Sequence, residues 1–367
     1  MDKTKDKVID KAADTTIDVN PIPYLTWNWL KINKDSVGYD FALSANDGNY
    51  KTERKGIIPG NSSIVQTSLP EPEFSIGQQA KDLILQANPN ATVYTIEKSD
   101  LEDSKKPLFI RINIDKNSAS YQIIHAKAGA AASVIIVYEG GPDIESDLLS
   151  GVVTKVYAEE DSNIHITKVQ LCGKAVNQID DTAIVCGDRA KVTLTQIELG
   201  GSHIDAGFHA TLAGYQSEFY SDTAYLCQNN QYLDMNQVVV HKGKKTVCDM
   251  KTHGTAKDQA VKTYRGTIDM VKGCAGSVGN EIETTLLLSP KAVVKAAPII
   301  LCGEEDIAAE HGSTIGKLSN DMLFYMNTRG IDQKTAEELL TRAKITAAAA
   351  SIEDEGIQEE INRFFTE

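Results

Sequence analysis

Short runs of aliphatic and β-branched residues, separated by turn residues, dominate the middle of the chain. From about residue 105 to 303 the runs are rich in Val, Ile, Thr and Tyr and are bounded by Gly, Asn or Asp, which are strand and turn signals. Examples are Leu108–Ile114, Tyr121–Ile124, Ser133–Tyr138, Val152–Tyr157, Ile164–Leu171 and Val192–Leu199. No helical period of useful length interrupts them, which excludes a doubly wound α/β fold. The pattern predicts a mainly β core over residues 105–303.

Two of these runs repeat each other at a constant offset. Ser162–Gly173 aligns with Ala190–Gly201 at an offset of 28 residues, and Thr167 coincides with Thr195. The aliphatic positions match along the pair, and in both copies the alternation slips by one residue in the middle, as a bulge or corner requires. Successive stacked coils would place equivalent side chains in ladders over one aliphatic column. Because a two-sheet sandwich needs no constant offset, the repeat favours a β-solenoid.

The N-terminal region, residues 1–104, has a mixed pattern. It contains a charged, helical lead at Lys3–Ala13, the segment Tyr24–Ile32 with both tryptophans, and a short helical pattern at Gln78–Gln86. A loop rich in Gly, Asn and Pro separates the last two. We predict a small mixed α/β appendage here.

The C-terminal region, residues 304–367, is predicted to be a helical domain. Asp332 can cap a helix whose apolar side chains recur at spacings of three and four, and the predicted apolar face consists of Ala336, Leu339, Leu340, Ala343 and Ala347. Gly330 suits the end of a preceding helix, roughly Asn320–Arg329. A final amphipathic segment carries Ile357, Ile361, Phe364 and Phe365.

The net negative charge of the chain limits the classes of partner that it is expected to bind. The chain has 37 basic and 51 acidic residues, a net charge of −14, and a surface this acidic repels nucleic-acid phosphates. The longest apolar stretch, near Ala128–Tyr138, falls short of a membrane span. The first residues alternate Asp and Lys without an apolar segment, so no secretory signal is expected. We expect a cytoplasmic protein without nucleic-acid or membrane partners.

The six cysteines are widely spaced, and no C-x-x-C pair occurs. A zinc ribbon or a ferredoxin-type cluster site is therefore not encoded locally. Cys172, Cys186 and Cys302 each follow an aliphatic residue and precede glycine, a pattern typical of a strand entering a tight turn. Buried, reduced cysteines are favoured over metal ligation.

The histidines show no established catalytic motif. G-x-S-x-G, H-E-x-x-H, a phosphate-binding loop and G-x-G-x-x-G before a helix are all absent from the sequence. His203, Asp205 and His209 lie in the glycine-rich segment Gly200–Gly214. They form either a metal site on one turn or a polar, solvent-facing turn.

Several motifs toward the C-terminus resemble those of the SufB/SufD family of iron–sulfur cluster assembly proteins. They are Tyr264–Thr267, Lys272-Gly273, Thr285–Ser289, Pro298–Cys302, Glu305–Ile307, Glu310–Leu318, Leu323–Met326 and Thr328–Ile331. The resemblance covers about residues 105–350, and Trp27–Ile32 is similar to an N-terminal element of the family. In the family's Pro-x-Leu-Glu element, the glutamate position is occupied here by Leu301.

This resemblance implies a fold and a role. The fold is a right-handed parallel β-helix flanked by N-terminal mixed or helical and C-terminal helical segments. The role is that of a non-catalytic scaffold subunit in an ATP-dependent complex, paired with a SufB-like paralogue and bound to the ABC-type ATPase SufC. The C-terminal helices would bind SufC, and the candidate residues are Leu323, Phe324, Tyr325, Arg329, Gly330 and Ile331.

Two positions indicate a SufD-like member of the family. SufB proteins carry a cysteine shortly before the Leu-Leu run and a glutamate directly after the motif histidine, and these positions are Glu283 and Gly312 here. A carboxylate is a harder ligand for iron than a thiolate. His311 is retained, so the resemblance implies that it faces the joint with the partner. No cofactor is expected to be stably bound, and His311 would ligate iron or a nascent cluster transiently.

Two alternative hypotheses remain. A β-helix carbohydrate-active enzyme would need paired carboxylates, for which Asp180-Asp181 and Glu281/Glu283 are the candidates. A self-sufficient homodimeric scaffold would need Cys248, Cys274 or Cys302 to supply the missing thiolate.

Overall fold

The architecture was obtained as a computed structural model that describes residues 15–23, 30–39, 42–62, 64–99, 101–140 and 147–366. The predicted helix at Lys3–Ala13 and most of Tyr24–Ile32, including both tryptophans, lie outside these residues. The described elements are 21 strands and five helices.

The strands alternate between two sheets along most of the chain. They are β1 (Thr15–Val19), β2 (Asp35–Tyr39), β3 (Ser44–Ala45), β4 (Asn49–Thr52), β5 (Ile57–Asn61), β6 (Thr92–Ile96), β7 (Leu108–Asn113), β8 (Ser118–Ala126), β9 (Ala131–Gly140), β10 (Leu148–Ala158), β11 (Asn163–Cys172), β12 (Val176–Cys186), β13 (Lys191–Glu198), β14 (His203–Leu212), β15 (Glu218–Cys227), β16 (Tyr232–His241), β17 (Val247–Ala256), β18 (Val261–Met270), β19 (Ser277–Leu287), β20 (Val293–Cys302) and β21 (Ile307–Gly316). The helices are α1 (Gln78–Ala87), α2 (Leu101–Ser104), α3 (Asn320–Thr328), α4 (Gln333–Ala349) and α5 (Glu355–Arg363).

The body is a parallel β-solenoid. The first sheet runs in the order β20-β18-β16-β14-β12-β10-β8-β6-β5, and the second in the order β21-β19-β17-β15-β13-β11-β9-β7-β4. From β6 and β7 onward all neighbouring pairs within these sheets are parallel. The predicted mainly β fold with a solenoid body is therefore confirmed.

The register explains why the repeat is visible in the sequence. In the pairing of β11 with β13, Ile164 lies opposite Val192 and Thr167 opposite Thr195, as the offset of 28 residues predicts. Equivalent aliphatic side chains stack inside the coils and form one buried cluster that extends from Tyr94 to Cys274. Burial of this apolar column is the main stabilising contribution to such a fold.

One corner of each coil has the same backbone conformation. The residue there has a left-handed φ of 54° to 76°, and the equivalent residues are Gly129, Asp161, Arg189, Gln216, Lys245 and Gly276. Each lies just before a strand of the second sheet. The repeated conformation turns the chain from the first sheet into the second at six successive coils, from β8–β9 to β18–β19.

Strands of the N-terminal region are part of the solenoid, whereas the sequence predicts that residues 1–104 form an appendage. β4 pairs antiparallel with β7 and β5 pairs antiparallel with β6, so these strands complete the first end of both sheets. Helix α1 packs on β8 and β10, and the hairpin β1–β2 pairs only with itself. Because these strands are short and lack a long apolar alternation, the sequence does not distinguish them from loops.

The C-terminal helices lie on the outer face of the second sheet. Ile345 and Ala348 of α4, and Ile357 and Ile361 of α5, are buried against aliphatic residues of that sheet. Asp332 caps α4 as predicted, because its carboxylate accepts a hydrogen bond of 2.8 Å from the Thr335 amide. Among the described helices, none has the length and apolar character that a membrane crossing requires.

The last strand of the solenoid lies beyond the predicted boundary at residue 303. β21 pairs in parallel with β19 over Ile307–Gly316, and the helices begin only at Asn320. Most side chains of β21 are exposed because no further coil covers them. The strand therefore lacks the aliphatic pattern by which the other strands are recognised.

Candidate functional site

The C-terminal end of the solenoid presents two free strand edges. Each of the terminal strands, β20 and β21, has a pairing partner on one side only among the described strands. Val278, Ile282, Val293 and Ile315 are each nearly half exposed on these last coils. A free edge offers unpaired amide and carbonyl groups to a further strand, and exposed apolar side chains beside it are typical of an interaction surface.

His311 lies in the middle of this edge. In the register of β19 with β21, His311 is opposite Glu281 and Ser313 is opposite Glu283. Paired residues of a parallel sheet share a face, so His311 and Ser313 lie on the face that carries the buried carboxylates. Both are nevertheless exposed, because β21 is the terminal strand. The imidazole is thus placed where the interior of the solenoid opens to its surroundings.

Glu283 is engaged inside the protein. Its side chain is fully buried, and Lys262 Nζ lies 2.6 Å from its Oε1. The hydroxyl of Ser313 donates a hydrogen bond of 2.7 Å to Oε2, and the hydroxyl of Thr285 also bonds to the carboxylate. Both oxygens of this carboxylate are therefore already engaged by groups of the same chain.

Glu281 is buried one step along the same face. Burial, reinforced by the neighbouring Glu283 carboxylate, raises the pKa of Glu281 to about 8. It is therefore largely neutral at pH 7. Burial also lowers the pKa of Lys262, although the Glu283 carboxylate opposes this shift. The floor of the open end thus contains one ion pair and one neutral acid.

The cysteines are distributed as the sequence predicts, with one exception at this end. Cys172, Cys186 and Cys302 each end a strand, and all six thiols are free. Five are buried, whereas Cys302 at the end of β20 is exposed. Burial raises the pKa of the Cys248 thiol to about 12, so Cys248 is not a ready thiolate. Cys302 is the accessible thiol of the terminal coil.

The six predicted SufC-binding residues lie on or just after α3. No residue of α3 is buried, and Phe324 and Tyr325 are 71% and 59% exposed. Arg329 lies over the Tyr325 ring, 5.4 Å from its centroid. Leu323 and Ile331 are partly exposed, and Gly330 adopts the left-handed φ of 81° that its predicted position requires. The helix therefore presents an aromatic surface to solvent.

His203, Asp205 and His209 are not on a turn, contrary to both sequence interpretations. They lie in strand β14, which contains Gly207 because a Cβ there would be only 2.3 Å from the Asn236 carbonyl oxygen. His209 is buried six residues from His203, roughly 20 Å along the strand. The three residues therefore do not meet.

Instead, His203 and Asp205 meet Asp35, which the sequence analysis missed. One ligand atom of each lies within 4.8 Å of the others. Asp35 comes from the N-terminal hairpin, and no local spacing connects it with β14.

The carboxylates proposed for a carbohydrate-active enzyme are all buried. Asp180 contacts Lys168 Nζ at 2.6 Å, and Asp181 accepts hydrogen bonds from the backbone amides of Ser75 and Ile76. Glu281 and Glu283 are likewise buried. None of these pairs lines a groove that a polysaccharide could enter.

Comparison with known proteins agrees with the motifs at this end of the chain. The family described as "SUF system FeS cluster assembly, SufBD core domain" matches residues 110–344. The chain is 26% identical over 240 residues to the chloroplastic SufBD family protein ABCI8 of Arabidopsis thaliana, covering 60% of this chain and 43% of that protein. It is 26% identical over 149 residues to the iron–sulfur cluster assembly protein SufD of Bacillus subtilis, covering 40% and 34%.

A similar match is found with SufD of Escherichia coli, at 23% identity over 165 residues, covering 44% of this chain and 38% of that protein. The chain thus spans about a third to a half of the length of these curated relatives. The family match extends over more than half of this chain and includes most of the solenoid, the terminal strand with His311, helix α3 and the first part of α4. The chain therefore belongs to the SufBD family of the SUF system of iron–sulfur cluster assembly.

Proposed function

We propose that this chain is a SufD-like, non-catalytic scaffold subunit of the SUF machinery. It pairs through the open end of its solenoid with a SufB-type paralogue, and it binds a SufC-type ATPase through α3. The observation that carries the proposal is His311, an exposed imidazole on the interior-facing side of a terminal strand that has one free edge. The six free cysteines fit a reducing compartment such as the cytoplasm.

The free edges support pairing with another solenoid. A second chain that adds strands to β20 and β21 would satisfy their open backbone groups. It would also cover the exposed side chain of Ile315 on the terminal strand. Since the register places His311 on the interior face, such pairing would enclose the imidazole between the two chains.

The donor set at this end supports a shared site rather than a site on one chain. Among the residues of β19 and β21, the imidazole of His311 is exposed, but the neighbouring Glu283 is held by Lys262. An iron–sulfur cluster is held mainly by thiolates. We infer that the partner supplies these thiolates and that His311 adds one nitrogen ligand to a nascent cluster, which is the cargo of the complex.

The exposure of α3 and its short connection to β21 support the binding of an ATPase whose movement acts on the terminal strand. Helices as short as α3 are marginal unless tertiary packing stabilises them, yet its aromatic face is solvent-exposed. Residues 317–319 connect α3 directly to β21. Movement of an ATPase bound to α3 would therefore be transmitted to the strand that carries His311.

The exposed thiol of Cys302 favours a variant of this proposal in which two copies of this chain form the scaffold. Because its thiol is exposed on the terminal coil, two copies of this chain paired at the same edge would place thiols as well as imidazoles near the joint. If this homodimer is the functional scaffold, Cys302→Ser abolishes cluster formation on the isolated chain. If the SufB-type partner supplies sulfur, the isolated chain forms no stable cluster with or without Cys302.

Replacing Phe324 and Tyr325 together with alanine should weaken ATPase binding. Exposed aromatic anchors of an interface typically contribute about 2 kcal/mol or more, so we expect a loss of affinity of roughly 30-fold. The measurement is the dissociation constant for the SufC-type ATPase by calorimetry. Ile58→Ala is the control, since this side chain is 58% exposed on β5 at the opposite end of the solenoid. Equal affinity of the double variant and the control would contradict the role of α3.

A further inference from the structure

Asp35, His203 and Asp205 form a cluster on the first sheet, away from the open end. His203 and Asp205 are two residues apart in β14, so they share a face of the strand, and Asp35 reaches them from β2 of the N-terminal hairpin. His203 Nε2 is 2.7 Å from Asp35 Oδ2 and 3.4 Å from Asp205 Oδ2. The three ligand atoms therefore converge on a common point.

The hydrogen bonds around this point are incomplete. The single proton on His203 Nε2 can be donated to Asp35, which is the closer carboxylate. Asp205 Oδ2 is then left without a hydrogen-bond donor, although the Asp205 side chain is almost wholly buried. An unpaired buried carboxylate oxygen is costly. A cation at the common point would satisfy both carboxylates at once.

The second oxygen of each carboxylate is held by a neighbouring group. The Tyr232 hydroxyl donates to Asp35 Oδ1 at 3.2 Å, and the Asn20 amide lies 3.4 Å from Asp205 Oδ1. The Tyr232 ring also packs against the His203 imidazole, with a centroid distance of 4.4 Å. Outer contacts of this kind orient the ligands of metal sites. Both Oδ2 atoms are thereby directed toward His203 Nε2.

We propose that Asp35, His203 and Asp205 bind a divalent transition-metal ion that fastens the N-terminal hairpin to the solenoid. Two carboxylates balance the charge of such an ion, and an imidazole nitrogen favours transition metals over Mg²⁺ or Ca²⁺. Tetrahedral ligand atoms about 2.0 Å from zinc lie roughly 3.3 Å apart. The spacing of His203 and Asp205 matches this value, and Asp35 has to withdraw by about half an ångström.

The position of the ligands leaves one side of the ion open. The side chains of His203 and Asp35 are 28% and 14% exposed, whereas Asp205 forms the buried floor. Three protein ligands and an open position are typical of an exchangeable or reactive site rather than a closed structural one. The proposal is independent of the proposed scaffold function, because the cluster lies on β14 and not on the terminal strands.

The test is a calorimetric titration of the full chain, freed of metal by chelation, with Zn²⁺ and separately with Mg²⁺. We expect one equivalent of Zn²⁺ to bind at least 100-fold more tightly than Mg²⁺ and to raise the unfolding temperature. His203→Gln and Asp35→Asn should each weaken Zn²⁺ binding roughly 100-fold or more, and Tyr232→Phe by about tenfold, as expected for an outer contact.

The matched control is His253→Gln. His253 also contacts a carboxylate, with Nε2 2.8 Å from Asp222 Oδ1, but it belongs to no three-ligand cluster among the described residues. This variant should bind Zn²⁺ as the parent chain does. The proposal is overturned if no stoichiometric Zn²⁺ binds, if binding survives both ligand substitutions, if the control loses binding equally, or if Mg²⁺ binds as tightly. Because Tyr232→Phe leaves all three ligands in place, it tests the site even if the ligand variants fold poorly.

Discussion

Replacing His311 with alanine is expected to reduce cluster formation on the assembled complex by roughly tenfold or more, while the complex itself still assembles. Loss of a contact that merely orients a metal ligand costs about 10–100-fold, and removal of the ligand costs at least as much. Stability should change by less than about 0.5 kcal/mol, because the side chain is exposed. The measurement is the rate and yield of cluster assembly, followed by absorption spectroscopy.

Two further variants separate ligation from other roles of this histidine. His311→Cys keeps a donor that iron accepts, so it should retain more activity than alanine. His253→Ala removes a partly exposed histidine from β17, two strands away in the same sheet, and should have no effect. Undiminished cluster yield on an intact complex of the His311→Ala variant would remove the histidine from the proposed function.

Replacing Lys262 with methionine is expected to lower the free energy of unfolding by about 3–5 kcal/mol, because it leaves the buried Glu283 carboxylate without its oppositely charged partner. Both side chains are fully buried, and Lys262 Nζ also lies 5.3 Å and 5.0 Å from the centroids of the Tyr225 and Tyr264 rings. Methionine has a similar length, so the loss is mainly electrostatic. The measurement is the free energy of unfolding by chemical denaturation. The slope of this free energy against denaturant concentration should be the same for the variant and the parent chain.

The double variant Lys262→Met with Glu283→Leu should recover much of this loss, since it removes both charges. Lys191→Met is the control, because Lys191 is 45% exposed and 3.9 Å from Glu218. Exposed pairs of this kind contribute about 1 kcal/mol or less. A cost for the Lys262 variant no larger than that of the control would contradict the importance of the pair. The outcome bears on the open end, because Ser313 of the terminal strand bonds to the same carboxylate.

The solenoid and the C-terminal helices were predictable because both have a local signature. The coils repeat, so Ile164 and Val192 occupy equivalent positions in the sequence and in the sheet. Helix α4 follows directly on its capping residue Asp332, as predicted. Its apolar face was predicted correctly only at Ala336, because Leu339, Ala343 and Ala347 are exposed. The helix instead buries Thr341, Ile345 and Ala348. In each case the interaction that stabilises the element joins residues whose spacing is fixed by the element itself.

Elements at the two ends of the solenoid were not predictable in the same way. β4 and β5 pair antiparallel with β7 and β6 across long loops, and their own sequences carry little apolar alternation. β21 lacks an aliphatic face because no coil covers it, so residues 304–316 are predicted as part of the C-terminal helical domain. The exposed side chains of β21 make the strand hard to recognise in the sequence, and they also make it a candidate interface.

The site residues also differ in this respect: some have a local motif, and others meet only through the stacking of the coils. His311 was found from its motif, whereas its relation to Glu281 requires the register of β19 with β21. Lys262 and Glu283 lie in different sheets, and Asp35 and His203 belong to a hairpin and a coil that are far apart in sequence. Such pairs depend on the stacking of coils, and a single sequence has no spacing rule that connects them.

Hydrogen–deuterium exchange of β20 and β21, measured with and without the SufB-type partner, tests edge pairing most directly. In a parallel sheet each strand directs its backbone hydrogen bonds to both sides. In the isolated chain, the outward amides of the two terminal strands should therefore exchange quickly. In the complex we expect these amides to become strongly protected, while amides of β4 and β5 at the other end are unchanged. Outward amides of β21 that exchange as fast in a saturated complex as in the isolated chain would contradict the account.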